Sequence, residues 1–203
     1  DIELLRYTAS RLHVTGISTA KSLALIKKAK EEGLKISCSV TPAHLCFTDA
    51  DLQGYDTNFK LSPPLRTAED REALRIGVQD GTIDCIASHH LPWDIDHKIV
   101  EFQSAADGMT SLESAFGVVG SCLPHLPITR LVELFSFAPR AIFNLHQPCI
   151  NKDNIACLTL FAPDEEWTFK QHYSRSVNTP FNGKKLKGKP YGIINHNKLF
   201  LNQ

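Results

Sequence analysis

The side chains best suited to chemistry crowd into Ser88-His-His-Leu-Pro-Trp93. Adjacent imidazoles, a hydroxyl and an indole can bind a metal, move a proton or grip a polar substrate. Just before them, Ile83-Asp-Cys-Ile-Ala87 is apolar apart from Asp84, the pattern of a strand covered on both faces. Polar residues at the C-terminal end of such a strand stand where α/β folds place their chemistry. Two more clusters follow strand-like runs in the same way, His13-Val-Thr-Gly16 and Thr41-Pro-Ala-His44. His89, His90 and His97 suggest a metal site, but neighbouring strand residues point to opposite faces and His97 falls in a loop. Hydrogen-bonded histidines are the simpler reading. No Ser-His-Asp order, phosphate-cradling glycine motif or Cys-x-x-Cys pair is present. Cys46 has no convincing partner and reads as a core thiol, not a nucleophile.

Strand–helix units must position these clusters. Residues 11–15 read as a strand, and Ser18 or Thr19 caps a helix from Ala20 to Glu32 with Leu23, Ile26 and Ala29 on one stripe. Gly33 stands just past its end. A second strand, Leu34 to Val40, leads through a polar loop to a helix over Ala68–Gln79 and the third strand, Ile83–Ala87. Such alternation implies right-handed crossovers and a parallel sheet. Helices are expected over Thr110–Val119, Ile128–Ser136 and Pro139–Leu145. The tail turns to β: Ile155–Phe161 alternates, and Tyr191–Ile194 with Leu199–Asn202 flank Asn195-His-Asn-Lys198 as a hairpin.

The chain has 203 residues, 42% of them apolar and 22% charged, enough to bury a core. Lys+Arg and Asp+Glu balance at 22 each, which gives no basis for binding nucleic acid or an anionic membrane. The basic run Lys184-Lys-Leu-Lys-Gly-Lys189 is interrupted by Leu and Gly and reads as a solvated face of the β region. Six scattered cysteines point to reduced thiols and a cytoplasmic protein, and no apolar stretch is long enough for a membrane span. The chain begins without Met, part-way into a helical pattern, as a piece of a longer protein would.

Several blocks together resemble the bacterial-type dihydroorotases of the amidohydrolase superfamily. They are Arg11-Leu-His-Val-Thr-Gly-Ile-Ser-Thr19, Val40-Thr-Pro-Ala-His-Leu45, Tyr55-Asp-Thr-Asn-Phe-Lys-Leu-Ser-Pro-Pro-Leu-Arg66, Glu69-Asp-Arg-Glu-Ala-Leu74, Asp80-Gly-Thr-Ile-Asp-Cys85, Gly108-Met-Thr-Ser-Leu-Glu113 and Ser174-Arg-Ser-Val-Asn-Thr-Pro-Phe181. The resemblance implies an α/β fold. Residues 1–147 would be strands six to eight of a (β/α)₈ TIM barrel of the metal-dependent hydrolase type, and residues 148–203 part of a small β-domain. A closed barrel has eight strands, so this part is expected to need a missing N-terminal half, or another copy of itself, to cover its open face. The family carries zinc and hydrolyses a cyclic amide in pyrimidine biosynthesis.

Residue by residue, the chemistry does not carry over. The family's His-x-x-His-x-Ser-Thr places a metal ligand where this chain has Gly16, which has no side chain to donate; His13 keeps the first histidine. The family's Ala-Thr-Asp-His-Ala-Pro-His becomes Ala87-Ser-His-His-Leu-Pro-Trp93. His89 therefore stands at the catalytic aspartate, and Trp93 replaces a substrate-contacting histidine. Ser62 shortens a substrate-binding asparagine, Ala43 removes one more imidazole, and the substrate loop has become Ala105-Ala-Asp-Gly108. Scaffold positions Pro63, Pro64, Arg66, Asp84, Pro92, Glu113 and Arg175 persist. The resemblance thus leaves Ser62, His89, Trp93 and Gly108 as substrate-pocket positions, with no catalytic residue, no metal ligand and no cofactor expected in this chain. Inactive homologues of this kind act as structural partners of aspartate carbamoyltransferase, the partner the resemblance implies. The rival reading is an active zinc-dependent cyclic amidohydrolase in which His89 joins strand-one ligands in an altered metal site.

Overall fold

The computed structural model describes residues 1–147, 149–152, 154–170, 173–196 and 198–202. Strands β1 (Leu12–Val14), β2 (Ile36–Val40) and β3 (Cys85–Ile86) form a parallel sheet in the order β1-β2-β3. His13 pairs with Ser37, and Val40 with Ile86. The strands are shorter than the apolar runs predict, yet pairing continues past their ends. Asp84 N–H bonds the Cys38 carbonyl at 3.1 Å and Ala87 N–H that of Val40 at 3.0 Å.

A short helix, α1 (Ile2–Thr8), precedes β1. Helix α2 (Ala20–Glu31) is capped by Thr19, whose hydroxyl accepts from Ser22 N–H at 3.1 Å. Helix α3 (Pro42–Cys46) opens on Thr41 in the same way, and Thr67 caps α4 (Ala68–Asp80). Asp70 in the first turn of α4 accepts from Ala20 N–H at 2.8 Å and so fixes α4 against the start of α2. Leu23 and Ile26 of α2, Leu74 and Val78 of α4, Val40 and Ile86 of the sheet and Ile83 just before β3 are buried in one cluster. Each such side chain contributes about 1.5–3 kcal/mol by leaving water. Beside it lies an ion pair: Lys30 Nζ reaches Asp84 at 2.7 and 2.8 Å, and Asp84 also accepts from Cys38 N–H at 2.7 Å.

The helix expected from Thr110 begins instead at Ala115, as α5 (Ala115–Cys122). Residues 110–112 use their N–H groups elsewhere. Thr110 donates to the Asn178 carbonyl at 2.9 Å, and Ser111 and Leu112 both donate to His90 Nδ1 at 3.2 Å. The two helices read after Ile128 are one winding rod. Helix α6 (Ile128–Val132) passes through a π turn at Glu133–Phe137 into α7 (Ala138–Ile142). The wide turn accommodates Pro139, which has no N–H to give.

The tail forms an antiparallel sheet of β4 (Cys157–Thr168), β5 (Lys185–Asn195) and β6 (Lys198–Leu201). Strand β4 runs well beyond Phe161, with register shifts after Leu160 and Ala162 that absorb Pro163 and the acidic residues behind it. From Lys185 on, the basic run lies within β5: Leu186 and Gly188 are buried, while Lys185, Lys187 and Lys189 are exposed or half-buried. Lys187 pairs with Asp164 at 3.0 Å and Lys189 with Glu165 at 2.9 Å. Of the expected hairpin turn, Asn197 lies outside the described residues, as does residue 148 at the expected domain boundary. Phe47, Met109, Val118, Phe169, Phe181 and Leu186 form a second cluster joining the two sheets, with Phe47 stacked on Phe181 at 5.0 Å. Among the described residues no helix is long and apolar enough to cross a membrane.

Candidate functional site

Because the three strands are parallel and adjacent, the segments that follow them emerge at one end of the sheet, carrying Gly16, Ala43 and His89. Beneath them sits Ser39, fully buried in β2. Its hydroxyl accepts from Gly16 N–H at 3.2 Å and donates to Thr15 Oγ1 at 3.2 Å. Thr15 Oγ1 in turn meets His89 Nε2 at 3.1 Å. A continuous polar chain therefore ties the loop after β1 to the loop after β3, and the His89 imidazole is its last link.

The backbone makes that arrangement close. Gly16 has φ +69° and His89 φ +45°. A β-carbon at position 16 would lie 2.3 Å from His89 Cε1 and 3.0 Å from Nε2. The ring of His89 thus fills the space into which any side chain at 16 would project. Burial disfavours its cation and pulls its pKa below the ordinary imidazole value.

His44 is buried and held at both ring nitrogens, Nδ1 by Thr41 Oγ1 at 2.6 Å and Nε2 by the Pro63 carbonyl at 3.1 Å. A carbonyl can only accept, so Nε2 carries the proton and Nδ1 accepts from the threonine. Burial lowers the His44 pKa against the opposing pull of the Pro63 and Pro64 carbonyls. His13 bonds Ser37 Oγ through Nδ1 at 2.8 Å and packs edge-on against Phe143, and burial lowers its pKa too. His90 turns away to accept from residues 111 and 112, while the His97 ring lies against Trp93 at 5.1 Å.

Of the four pocket positions read from the sequence, Ser62, His89 and Gly108 line one cavity, with Thr41, Ala43, His44 and Leu91. Its volume is about 20 Å³, the part of the mouth that these residues enclose. Leu91 closes it from one side: a β-carbon at Gly108, where φ is +118°, would lie 2.6 Å from Leu91 Cβ. Trp93 is not in that lining. Its indole N–H donates to the Asp107 carbonyl at 2.9 Å, pinning the loop that precedes Gly108.

Two residues overlooked in the sequence hold this wall. Asn178 is buried and donates through Nδ2 to the Leu91 and Gly108 carbonyls at 3.0 and 3.3 Å, while its Oδ1 accepts from Trp93 N–H at 3.2 Å. Only its place in the Ser174–Phe181 block marked it. Leu91 was visible as a leucine within a motif whose alanine it replaces, but the sequence does not show that it closes on Gly108.

Position 16 offers no side chain, His89 Nε2 is engaged by Thr15, and both nitrogens of His44 are taken. Among the described residues no group of three or more His, Cys, Asp or Glu is arranged to hold a metal ion. The arrangement can hold a neutral imidazole in place; it does not present a carboxylate base to a substrate.

No family model matches the chain. A dihydroorotase from Pelobacter propionicus is 37% identical over 198 residues, covering 96% of this chain and 47% of that protein. Among solved structures, a D-hydantoinase from Thermus sp. superposes with a TM-score of 0.89 at 21% identity, over 98% of this chain and 46% of that one. An inactive dihydroorotase-like domain of a multifunctional protein from Chaetomium thermophilum superposes with a TM-score of 0.74 at 23% identity, over 98% of this chain and 53% of that one. The chain spans about half the length of the curated relatives it matches.

Proposed function

We propose that this chain, which belongs to the dihydroorotase family and has the α/β architecture of part of an amidohydrolase TIM barrel, serves as a non-catalytic, cytoplasmic member of the pyrimidine-biosynthetic machinery. The observation that carries the reading is the His89 imidazole lodged over Gly16. The family's zinc needs a ligand from position 16 and a carboxylate from position 89; here one is absent and the other is an imidazole that excludes it. One neighbouring structure is described as inactive, which is consistent with this reading.

A surface kept without its chemistry serves an assembly. At the free edge of β1, Leu12, Val14 and Leu25 line an open cleft of about 470 Å³ together with the charged Asp1, Glu3, Arg6 and Lys28, and its apolar part suits burial against another segment. In this reading the rest of the protein's own barrel covers that edge, and the completed fold supports aspartate carbamoyltransferase as a structural or regulatory partner. The test is made on the full-length protein. We expect no bound zinc by elemental analysis, no turnover of dihydroorotate, and co-sedimentation with the cognate aspartate carbamoyltransferase. Stoichiometric zinc with steady hydrolysis would replace this reading with that of an active amidohydrolase using an altered metal site.

A further inference from the structure

Residues 55–61, beyond α3, and 94–108, beyond β3, are bonded into one crest. Thr57 Oγ1 donates to the Lys98 carbonyl at 2.7 Å and Gly108 N–H to the Lys60 carbonyl at 2.8 Å, while the Tyr55 and Phe102 rings meet edge-on at 5.9 Å. Both lysines of the crest turn inward as staples. Lys60 Nζ donates to the carbonyls of Gln103 and Ala105 at 2.8 and 2.7 Å, and Lys98 Nζ to those of Ala106 and Gly108 at 2.8 and 3.1 Å. In the longer loop Ile99 N–H donates to the Ile95 carbonyl at 2.8 Å. That single turn sets the two isoleucines on one side and leaves Lys98 buried.

What the crest presents to water is apolar. Tyr55 and Ile99 are each 73% exposed, Ile95 55% and Val100 42%. Asp56, Asp94, Asp96 and Glu101 are exposed beside them. The two loops carry five acids against two lysines, and both ammoniums are engaged by carbonyls. Scattered apolar side chains are ordinary on a surface, but several gathered within a charged rim mark a contact site. Because the loops are already held in place, docking on them costs little conformational freedom. The negative rim repels anionic lipid and nucleic acid and complements Lys and Arg. We propose that this crest docks a basic segment of another protein, in which apolar residues are flanked by Lys and Arg. Tyr55, Ile95 and Ile99 form the centre of the contact, and Asp56, Asp94, Asp96 and Glu101 its rim. None of these residues lines the pocket beside His89, so the inference stands whether or not that pocket is catalytic.

The experiment uses full-length protein and, as probe, an amphipathic helical peptide built from Lys and Leu, with a Glu and Leu twin as control. We expect calorimetric binding of the basic peptide alone, weakened by added salt. Binding should fall roughly tenfold or more both in Ile95→Ser/Ile99→Ser, which removes the apolar centre, and in Asp94→Asn/Asp96→Asn, which removes rim charge. Should either double variant fail to fold, Ile99→Ser and Asp96→Asn alone carry the same test. Hydroxyl-radical footprinting should label Tyr55 and Ile99 in the free protein and less in the presence of the peptide. Three results would each overturn the proposal. One is equal affinity for the two peptides, or affinity unchanged in the isoleucine variants. Another is binding to vesicles of phosphatidylcholine, with or without phosphatidylglycerol, that the isoleucine variants lose. The third is protection of Tyr55 and Ile99 before any peptide is added, which would mean that the rest of the protein's own fold covers the crest.

Discussion

Gly16 and His89 are sterically linked, each leaving only the space the other uses. The imidazole of His89 stands where a β-carbon at 16 would come within 2.3 Å of it, and the same ring closes the hydrogen-bonded chain from Gly16 N–H through Ser39 and Thr15. Two positions 73 residues apart in the chain (89 minus 16) therefore behave as one unit. Neither can be changed without a cost that depends on the other.

That dependence is measurable as a double-mutant cycle on stability. Gly16→Ala in the presence of His89 faces both a left-handed backbone and a clash, and should cost roughly 2–4 kcal/mol. In a His89→Ala background the clash is gone, leaving about 1–2 kcal/mol for the φ of +69°. Urea unfolding of the four proteins gives the coupling. Effects additive to within ~0.5 kcal/mol would mean that the ring moves aside freely.

Asn178 should matter more than its distance in sequence from the site suggests. Asn178→Ala leaves the Leu91 carbonyl and the Trp93 N–H without their side-chain partner and the Gly108 carbonyl with Lys98 Nζ, a loss of about 2–3 kcal/mol for a buried group. The loop over residues 94–108 should become the first site of limited proteolysis. A variant as resistant and as stable as the wild type would show that the loop is held by Lys60 and Lys98, which also reach its carbonyls.

The barrel elements were legible because burial on both faces leaves a plain mark. Cys85 and Ile86 could hardly be anything but a covered strand, and Ser18-Thr19 announced α2, with Thr19 the cap. The antiparallel sheet was harder to read. Pro163 and the acids after it look like the end of a strand, whereas the register shifts around Ala162 carry β4 on to Thr168. In Lys185-Leu-Lys-Gly-Lys189 the alternation was present, but the charges masked it. At the site, the residue types showed what had been lost, not what had filled the space. That His89 covers Gly16, or that Leu91 closes on Gly108, depends on tertiary packing, which spacing along the chain does not encode.

Acid should weaken the fold before any carboxylate titrates. His13, His44 and His89 all have pKa values lowered by burial. The unfolded chain then binds protons that the folded chain refuses, so stability rises with pH across the window between the folded values and the free imidazole value near about 6.5. It is complete above that value and falls as pH drops through it toward the folded values. The melting temperature should decline between pH 7.5 and 5.0, and the decline should shrink in His44→Asn. An equal slope in the two proteins would remove His44 from the account.

Restoring metal chemistry should require substitutions in a definite order. Gly16→His alone places a ring into the volume of His89 and should yield misfolded or destabilised protein without zinc. His89→Asp alone clears that volume and supplies a carboxylate, but leaves position 16 without a donor. The pair together removes the clash and returns two ligand types, and adding Ser62→Asn and Trp93→His restores the family's substrate contacts. Even then Leu91 still closes the cavity against Gly108, and groups that act as one catalytic unit do not contribute additively. In full-length protein we therefore expect zinc only in variants carrying both Gly16→His and His89→Asp, and no appreciable hydrolysis of dihydroorotate until Leu91→Ala is added. Elemental analysis and a dihydroorotate assay on the series decide the matter; one zinc per chain in either single variant would show that the two positions are not the linked unit described here.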